Sequence, residues 1–474
     1  MSGSFGAGMA KITGVLATMA LLLAVPLQAR AENLTDAMIG AYNTSGLLEQ
    51  NRALLRAADE DVAEAISTLR PVIEWSASAS RSLSRSLSDV TPDVVKRNMS
   101  NAFVGLTADL LLFDSGGRRH AINAAKETVL ATRQTLISIE QDVLLRAVAA
   151  YFNVVLQQQI VSLRENNLNL LDEELSATQD RFEVGEVTRT DVALAESRQA
   201  AARSNLVAAR GDLDNARAEY LAAVGHEPQN LVQRLDLPGA PASADAATAV
   251  AVRSHPDILA AQRQVTAAEY NVRRAESAIG PKIALRGDVG MRENLTGSGY
   301  ERDATVSLNL SQPIYQGGGL NAQVRRAMAT RDSIRASLLT AQENVALNAT
   351  NAYVRFDVAR SSLSATGERI RAAQVAFDGI REEARLGART TLDVLQAEQE
   401  LLDARTEQLS ARAEESIAAY QLLAAQGLLT VDNLNLAVQV YDPTLYYNMV
   451  KDAPSRISKQ GRDLDRVLKA LGKE

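Results

Sequence analysis

Two acidic residues follow two glycines at the same spacing. Asp191 lies six residues after Gly185 and Asp393 lies six residues after Gly387, and the second pair is displaced from the first by 202 positions. Carboxylates can accept hydrogen bonds or pair with a cation, and several of them around an opening would attract cations. Arg389 precedes Asp393 by four residues. That spacing also fits an exposed helix ion pair worth about 0.3–0.5 kcal/mol.

The residue types exclude several other chemistries. Among 474 residues there is no cysteine, which rules out disulfides, thiolate catalysis and a lipid-modified N-terminal cysteine. The three histidines are isolated, so a histidine metal site is not predicted: His120, His226 and His255. The stretches "FDSGG" and "YQGGG" lack the Gly-Lys-Ser/Thr ending of a phosphate loop. We therefore predict a protein that is not an enzyme and has no cofactor or metal.

The N-terminus has the pattern of a secretory signal. Lys11 is followed by the apolar run "ITGVLATMALLLAV" and by Ala29-Arg30-Ala31, which fits the small-x-small cleavage rule. The apolar run is shorter than the ~20 residues of a membrane-spanning helix. We predict a signal peptide at 1–31 and an exported mature chain. The net charge of −7, without a basic patch, argues against nucleic acid as a partner.

The segments around Gly185–Asp191 and Gly387–Asp393, which we call the joints, belong to elements that are arranged as a tandem duplication. At the same displacement of 202, Phe113 matches Tyr315, Gly116 matches Gly318 and Gly225 matches Gly427. The Pro/Ala/Ser-rich segment that begins at Leu237 separates the copies. We predict a first repeat at 32–236, a linker at 237–247, a second repeat at 248–430 and a C-terminal segment at 431–474.

Each repeat contains a long helical hairpin. Residues 118–184 include neither glycine nor proline, and apolar residues recur there every seven positions, as in coiled coils: Leu130, Ile137, Leu144 and then Leu156, Leu163, Leu170. Gly185 and Gly387 interrupt the two patterns, and glycine tolerates the left-handed backbone that ends a helix. We predict helical hairpins at about 118–225 and 320–427 that turn at these glycines.

A period-two pattern precedes each helical hairpin. In 282–292 one face carries Ile283, Leu285, Val289 and Met291, and the other carries Lys282, Arg286, Asp288 and Arg292. Similar alternation predicts β-hairpins at about 72–113 and 282–315, with four strands of ~10 residues that are long enough to cross a bilayer. We expect polar loops at about 84–99 and 292–303. Four strands cannot close a barrel, and an open edge is not tolerated in lipid, so several chains must assemble.

This order of elements resembles the TolC family of outer-membrane exit ducts over nearly the whole mature chain. The resemblance rests on the duplicated hairpins, the two glycine joints and the strand-to-helix turns at Gly116, Gly117, Gly318 and Gly319. It implies an α + β membrane protein in which a homotrimer forms a twelve-stranded barrel and a periplasmic tunnel of antiparallel coiled-coil helices. It also implies an outer-membrane location, a periplasmic C-terminal segment, a membrane-fusion adaptor and a proton-driven or ATP-driven inner-membrane transporter as partners.

The family also implies roles for residues of the joints. Thr190 and Asp191 match positions that accept hydrogen bonds from a gate arginine, which matches Arg389. Asp393 matches an acid that forms an anionic ring at the pore constriction. Gly185 and Gly387 match the turns that contact the adaptor. Ala384 and Gln396 depart from the family prototype, which has a tyrosine latch and a second acidic ring at these positions.

Three functions follow from the sequence in order of preference. The first is an exit duct through which a tripartite system expels drugs and other toxic compounds. The second is a dedicated outer-membrane channel for type I protein secretion. The third, from another class, is a periplasmic coiled-coil scaffold, which would leave the four amphipathic strands without a purpose.

Overall fold

The computed structural model describes residues 31–88, 91–233 and 236–470. The predicted signal peptide, except for Ala31, lies outside them. The first half of the chain contains α1 (Leu34–Thr44), α2 (Gly46–Ser67), β1 (Val72–Ser88), β2 (Thr91–Phe113), α3 (Gly117–Glu183) and α4 (Arg189–Val224). The second half contains α5 (Ala244–Ser254), α6 (Pro256–Ser277), β3 (Lys282–Asn294), β4 (Tyr300–Ser311), α7 (Gly319–Arg385), α8 (Thr391–Ala425), α9 (Pro443–Val450) and α10 (Lys459–Ala470).

The strands form one antiparallel sheet in the order β1-β2-β3-β4. Its two faces follow the alternation in the sequence, since Trp75 pairs with Leu106 and Leu106 pairs with Val289. On the opposite face Thr107 pairs with Asp288. One face is therefore apolar and the other is polar, and both are supplied by residues that alternate along every strand.

The first predicted loop, at 84–99, is wrong. β1 continues to Ser88 and β2 begins at Thr91, and Ser84 pairs with Arg97 within the ladder. Serine alternates with leucine or arginine along 81–88, so β1 keeps a period of two despite its polar composition, and the ladder with β1 keeps β2 extended. The strands are consequently longer than the expected ~10 residues, with 17 in β1 and 23 in β2. In the second hairpin the connection between the strands is confined to 295–299.

Two compact units divide the described chain, and neither coincides with one half of the sequence. The first comprises segments up to Thr44, Arg146–Pro238 and Ala359–Ile417, and the second comprises Ser45–Leu145, Gly239–Val358 and the segments from Ala418. Each unit takes residues from both halves because α3 and α7, with 67 residues each, contribute to both units.

The first unit is held by narrow apolar seams between long helices. Along α4 the buried residues follow one another at spacings of seven, four or three: Ala195, Ala202, Leu206, Ala209, Leu213, Ala216 and Tyr220. Small alanines at these positions allow close approach of neighbouring helices. Leu171 of α3, Ala202 of α4 and Leu395 of α8 form one buried cluster. Burial of a leucine side chain stabilises such a contact by about 1.5–3 kcal/mol.

The second unit contains the sheet and a separate core. Leu55 and Val62 of α2 are buried against Val129 of α3, and Tyr441 and Tyr447 from the C-terminal segment pack onto this cluster. The predicted linker at 237–247 ends earlier than expected, because α5 begins at Ala244. Ser243 caps this helix by accepting a hydrogen bond from Ala246 N at 3.1 Å.

Candidate functional site

The two predicted joints have the same backbone geometry. Gly185 has φ of 80° and Gly387 has φ of 76°, which is the left-handed region that favours glycine. After α3, Glu186 N donates to Arg181 O at 2.9 Å and Gly185 N donates to Phe182 O at 3.0 Å. After α7, Ala388 N donates to Glu383 O at 2.9 Å and Gly387 N donates to Ala384 O at 3.0 Å. Both helices therefore end in a Schellman motif, which satisfies their last carbonyls.

The two acids of the joints begin the following helices. Asp191 Oδ2 accepts hydrogen bonds from Thr188 N at 2.8 Å and from Thr188 Oγ1 at 2.7 Å, while Asp191 N donates to Thr188 Oγ1 at 3.3 Å. Asp393 makes the same three contacts with Thr390, at 3.0, 2.8 and 3.2 Å. These are reciprocal capping boxes, which satisfy free backbone N–H groups at a helix start.

The hydrogen bonds of the caps also fix the charge of both acids. The side-chain and backbone hydrogen bonds from Thr188 lower the pKa of Asp191. The backbone and side-chain hydrogen bonds from Thr390 lower the pKa of Asp393, with a smaller effect of Arg389. Both carboxylates are therefore ionised at neutral pH.

Arg389 pairs within its own joint. Its Nε donates to Glu383 Oε2 at 2.8 Å, and this hydrogen bond with the nearby charge raises the pKa of Arg389. Among the described residues of this single chain, the hydrogen bonds of Arg389 do not include Thr190 or Asp191. Arg389 also precedes α8, so the alternative of an ion pair within one helix turn with Asp393 does not hold. The structure thus places the predicted gate residues in the two joints without joining them across the chain.

Three contact residues of the joints were missed from the sequence. Thr188 and Thr390 are the capping partners of the two acids, and the pattern Thr-x-x-Asp before an apolar run is a recognised signal for this role. Glu383 is the partner of Arg389. No simple spacing rule would have found it, because the glycine turn brings a residue six positions earlier back beside the arginine.

A buried acid lies seven residues into α8 and was also missed. Glu398 is 5% exposed and accepts a hydrogen bond from Asn167 Nδ2 at 2.6 Å. Its pKa is raised to about 7, mainly by burial and to a smaller extent by the charge of Glu174, against the lowering effects of the hydrogen bond from Asn167 and the charges of Arg381 and Arg198. Glu174 is itself 3.6 Å from Arg381. This group is consequently poised to change its charge near neutral pH.

The glycines of the strand-to-helix turns lie where a left-handed backbone is needed. Gly116 has φ of 90° and Gly318 has φ of 82°, and α3 and α7 begin at the next residues, Gly117 and Gly319. Asp114 fixes the first turn, since its Oδ2 accepts a hydrogen bond from Arg118 N at 2.6 Å. These turns redirect the chain from the sheet into the two long helices.

Two kinds of feature are absent from the described part of the chain. Residues 31–88, 91–233 and 236–470 contain no cluster of three or more histidine or acidic side chains suited to a metal ion. Within the same ranges, none of the helices is both long enough and apolar enough to span a membrane.

The described chain thus combines an open sheet that has one apolar face with two long helical hairpins. The family model for outer membrane efflux proteins matches residues 41–226 and 249–428. The chain belongs to this family, which confirms the resemblance stated from the sequence.

Individual relatives agree with this assignment. The chain is 37% identical to the outer membrane efflux protein BepC of Brucella suis over 90% of this chain and 91% of the relative. It is 26% identical to the outer membrane protein TolC of Escherichia coli, over 85% and 84% of the two chains. The solved structure of the Campylobacter jejuni CmeC outer membrane channel is similar in fold, with a TM-score of 0.73 at 17% identity over 90% and 91%. The protein is therefore a transport channel of the outer membrane and not an enzyme.

Proposed function

We propose that this protein is the exit duct of a tripartite export system, in which three copies form one twelve-stranded barrel and one periplasmic helical tunnel. The observation that carries the proposal is the open sheet. β1 and β4 each have only one neighbour among the described strands, and the apolar face is exposed, with Trp75 at 69% and Val306 at 80%. In lipid this face would be covered, but the unpaired backbone groups of both edges would remain without partners. Strands of further copies remove both edges.

The helices support assembly independently of the sheet. On α7, Leu347, Val354 and Val358 are all more than half exposed and are spaced by seven and four residues. This spacing places them on one helix face, which is suited to packing against another helix. A neighbouring copy of the chain supplies such a helix in the proposed trimer, as four helical segments per chain would give a tunnel of twelve.

The joints are proposed as the periplasmic entrance of this tunnel. Two joints per chain place six at one aperture, where Arg389 would bond to Thr190 and Asp191, and three copies of Asp393 would form an anionic ring. Gly185 and Gly387 would turn the hairpins and contact a membrane-fusion adaptor. Arg389 would bond either to Glu383 of its own joint or to Thr190 and Asp191 of another joint. The bond to Glu383 would therefore favour the open entrance. At the latch position of the family, Ala384 packs against an apolar cluster that includes Phe377 and Val394.

The cargo is proposed to be drugs and other toxic compounds delivered by a proton-driven or ATP-driven inner-membrane transporter. This choice follows the name of the relative BepC, an outer membrane efflux protein that aligns with nine-tenths of the chain. Type I protein secretion is the alternative for the same duct. A periplasmic coiled-coil scaffold is not favoured, because it does not explain the exposed apolar face of the sheet.

Deletion of the gene tests this function. A strain without the protein should become sensitive to dyes, detergents, bile salts and several classes of antibiotics, and a plasmid copy should restore resistance. A plasmid copy with a stop codon within α3 is the matched control. Unchanged susceptibility together with the loss of an exported protein from the medium would establish the secretion alternative, and a soluble periplasmic monomer would exclude both channel functions.

A further inference from the structure

The second unit contains a cavity of about 880 Å³ next to the strand-to-helix turns. Its walls come from the end of α2, the C-terminal two thirds of α6 and the N-terminal parts of α3 and α7, and two strand residues, Leu111 and Lys282, also line it. The joints and the acid Asp393 belong to the other unit, so this cavity is separate from the proposed gate residues.

The strand residues that line the cavity belong to the polar face of the sheet. Lys282 is on the same side of β3 as Arg286 and Asp288, because alternate residues of a strand share a face. Leu111 pairs with Ala284, which belongs to the same set. Trp75 and Val306 lie on the opposite face. In the proposed duct the polar face borders water, so the cavity is accessible to passing solutes and not to lipid.

The lining carries an excess of positive charge. Its only acidic residue is Asp114, which is 3.4 Å from the guanidinium of Arg118. Arg274, Lys282 and Arg326 form no ion pair within the described residues. Two acids on the neighbouring helices are paired with other arginines, Glu269 with Arg335 at 2.7 Å and Glu127 with Arg263 at 3.3 Å.

The charges on the sheet above the cavity are balanced instead. Arg286 lies 3.1 Å from Asp288 and 3.9 Å from Asp109. A solute that moves along the polar face therefore meets paired charges at the sheet and three unpaired cations at the cavity.

Small apolar side chains, among them Ala267, Ala268 and Ala275 of α6, share the rest of the lining with uncharged polar ones such as Gln264 and Asn271. Such a surface accepts a flat ring or alkyl body, while guanidinium groups donate paired hydrogen bonds to carboxylates, sulfonates or phosphates.

We propose that this cavity binds amphipathic organic anions, and that these anions are a cargo class of the duct. The inference rests on the proposed function, since the polar face must line a passage for the cavity to meet cargo. Three copies of the chain would place nine unpaired cations at one level, which would concentrate anions just before they enter the barrel.

Binding of pyranine, a flat aromatic trisulfonate that stays out of detergent micelles, tests the proposal. Fluorescence anisotropy is measured with the mature protein in detergent, for the wild type and for Arg274→Gln combined with Arg326→Gln. We expect the double variant to bind about tenfold more weakly, because it loses two of the three charged donors. Raising the salt concentration from about 0.05 to about 0.5 M should weaken binding to the wild type, because counter-ions screen exposed charges.

Arg325→Gln is the matched control, since Arg325 is the exposed neighbour of Arg326 but does not line the cavity. It should bind pyranine as the wild type does. The proposal is overturned if the wild type and the double variant bind pyranine with equal affinity. It is also overturned if Arg325→Gln loses as much affinity as the double variant, or if the cationic dye ethidium binds as tightly as pyranine.

Conductance of the same preparations in planar bilayers separates this inference from the proposed function. Channels without selective pyranine binding would overturn only the anion site. Absence of channels in the wild type would overturn the duct itself, and with it the assignment of the anions as cargo. Channels from the double variant also establish that it is folded.

Discussion

At the scale of single residues, the acids of the two joints have two possible uses. Asp191 and Asp393 cap their own helices through Thr188 and Thr390. A carboxylate has several acceptor sites, so the capped acid can still accept a hydrogen bond from an arginine of another joint. Asp191 can therefore cap α4 and take part in the gate at the same time. A test of the gate needs a variant that removes one of these roles and keeps the other.

We expect Arg389→Ala and Asp191→Asn to raise single-channel conductance in planar bilayers. An exposed charge pair is worth about 0.2–1 kcal/mol, so its loss in three chains shifts the ratio of open to closed entrances by about tenfold. Asparagine keeps a side-chain oxygen for the cap and removes only the charge.

Thr188→Ala is the control for the gate. It removes about 1 kcal/mol of helix capping and leaves the charge of Asp191 in place. A conductance increase of the same size in Thr188→Ala would mean that Asp191 acts through the start of α4. Unchanged conductance in both Arg389→Ala and Asp191→Asn would remove these residues from the gate.

Glu398 makes the packing of α8 dependent on pH. Burial raises its pKa to about 7 from 4.5, so the folded state binds the proton more tightly than the unfolded state does. Stability is therefore lost as the pH rises from about 4.5 to about 7, by at most about 3 kcal/mol. We expect amide hydrogen exchange at the start of α8, corrected for its intrinsic pH dependence, to be slower at pH 5.5 than at pH 8.

Glu398→Gln should abolish this difference and slow the exchange at pH 8, because the amide buries no charge. Glu400→Gln changes an exposed position of the same helix and should leave the difference in exchange between pH 5.5 and pH 8 intact. If the exchange of the wild type does not depend on pH in this window, Glu398 does not control the packing of α8.

At the scale of elements, three glycines distinguish backbone strain from steric contact. Gly185 has φ of 80° and nothing within 4 Å of an added Cβ. Gly225 has φ of 94° at the end of α4, and an added Cβ would lie 2.6 Å from Thr44 Oγ1. Gly211 is inside α4, with open space around it and no positive φ.

We predict that alanine lowers the thermal midpoint of the assembly at Gly185 and at Gly225 and raises it at Gly211. Circular dichroism follows the unfolding. Gly185→Ala should destabilise by about 1–2 kcal/mol through its left-handed backbone. Gly225→Ala should cost more, since it adds the contact with Thr44. Gly211→Ala should stabilise by about 0.5–1 kcal/mol, because alanine has the higher helix propensity. A midpoint for Gly185→Ala at or above that of the wild type would refute the left-handed turn.

The elements also show which features of the fold a sequence can predict. Strict alternation, such as Ile283, Leu285 and Val289, identifies a strand because one face must be buried and the other must not. Long runs without glycine or proline identify the helices for a similar reason. The ends of β1 and β2 were missed because serine and arginine in 84–99 are typical of loops, and only the ladder with the partner strand keeps them extended.

Side-chain contacts in the site were less predictable than its position. Gly185 and Gly387 follow the ends of the two long helices with positive φ, and a left-handed residue is a local requirement that a sequence can show. The choice of Glu383 as the partner of Arg389 depends on how the chain reverses, and the raised pKa of Glu398 depends on burial between helices that are distant in sequence. Neither cause is visible in the local pattern.

At the scale of the whole molecule, the proposed duct depends on closure of the sheet by further copies of the chain. β1 and β4 are separated by two strands, so about 14 Å lies between them at the usual strand spacing of about 4.8 Å. A disulfide requires Cα atoms within about 7 Å. A disulfide between β1 and β4 can therefore form only between different copies of the chain.

Cross-linking of these edges is the most direct test of the proposed duct, and the absence of native cysteine gives a clean background. Ser76→Cys on β1 is combined in turn with Thr305→Cys, Ser307→Cys or Asn309→Cys on β4. Outer membranes are oxidised, and their proteins are separated by gel electrophoresis without reductant. We expect at least one of these pairs to give disulfide-linked dimers and trimers but no larger species, while Ser76→Cys with Asp288→Cys on β3 gives no cross-linked species. Only monomers from every β1–β4 pair, or cross-linked species of more than three copies, would contradict the proposed trimer.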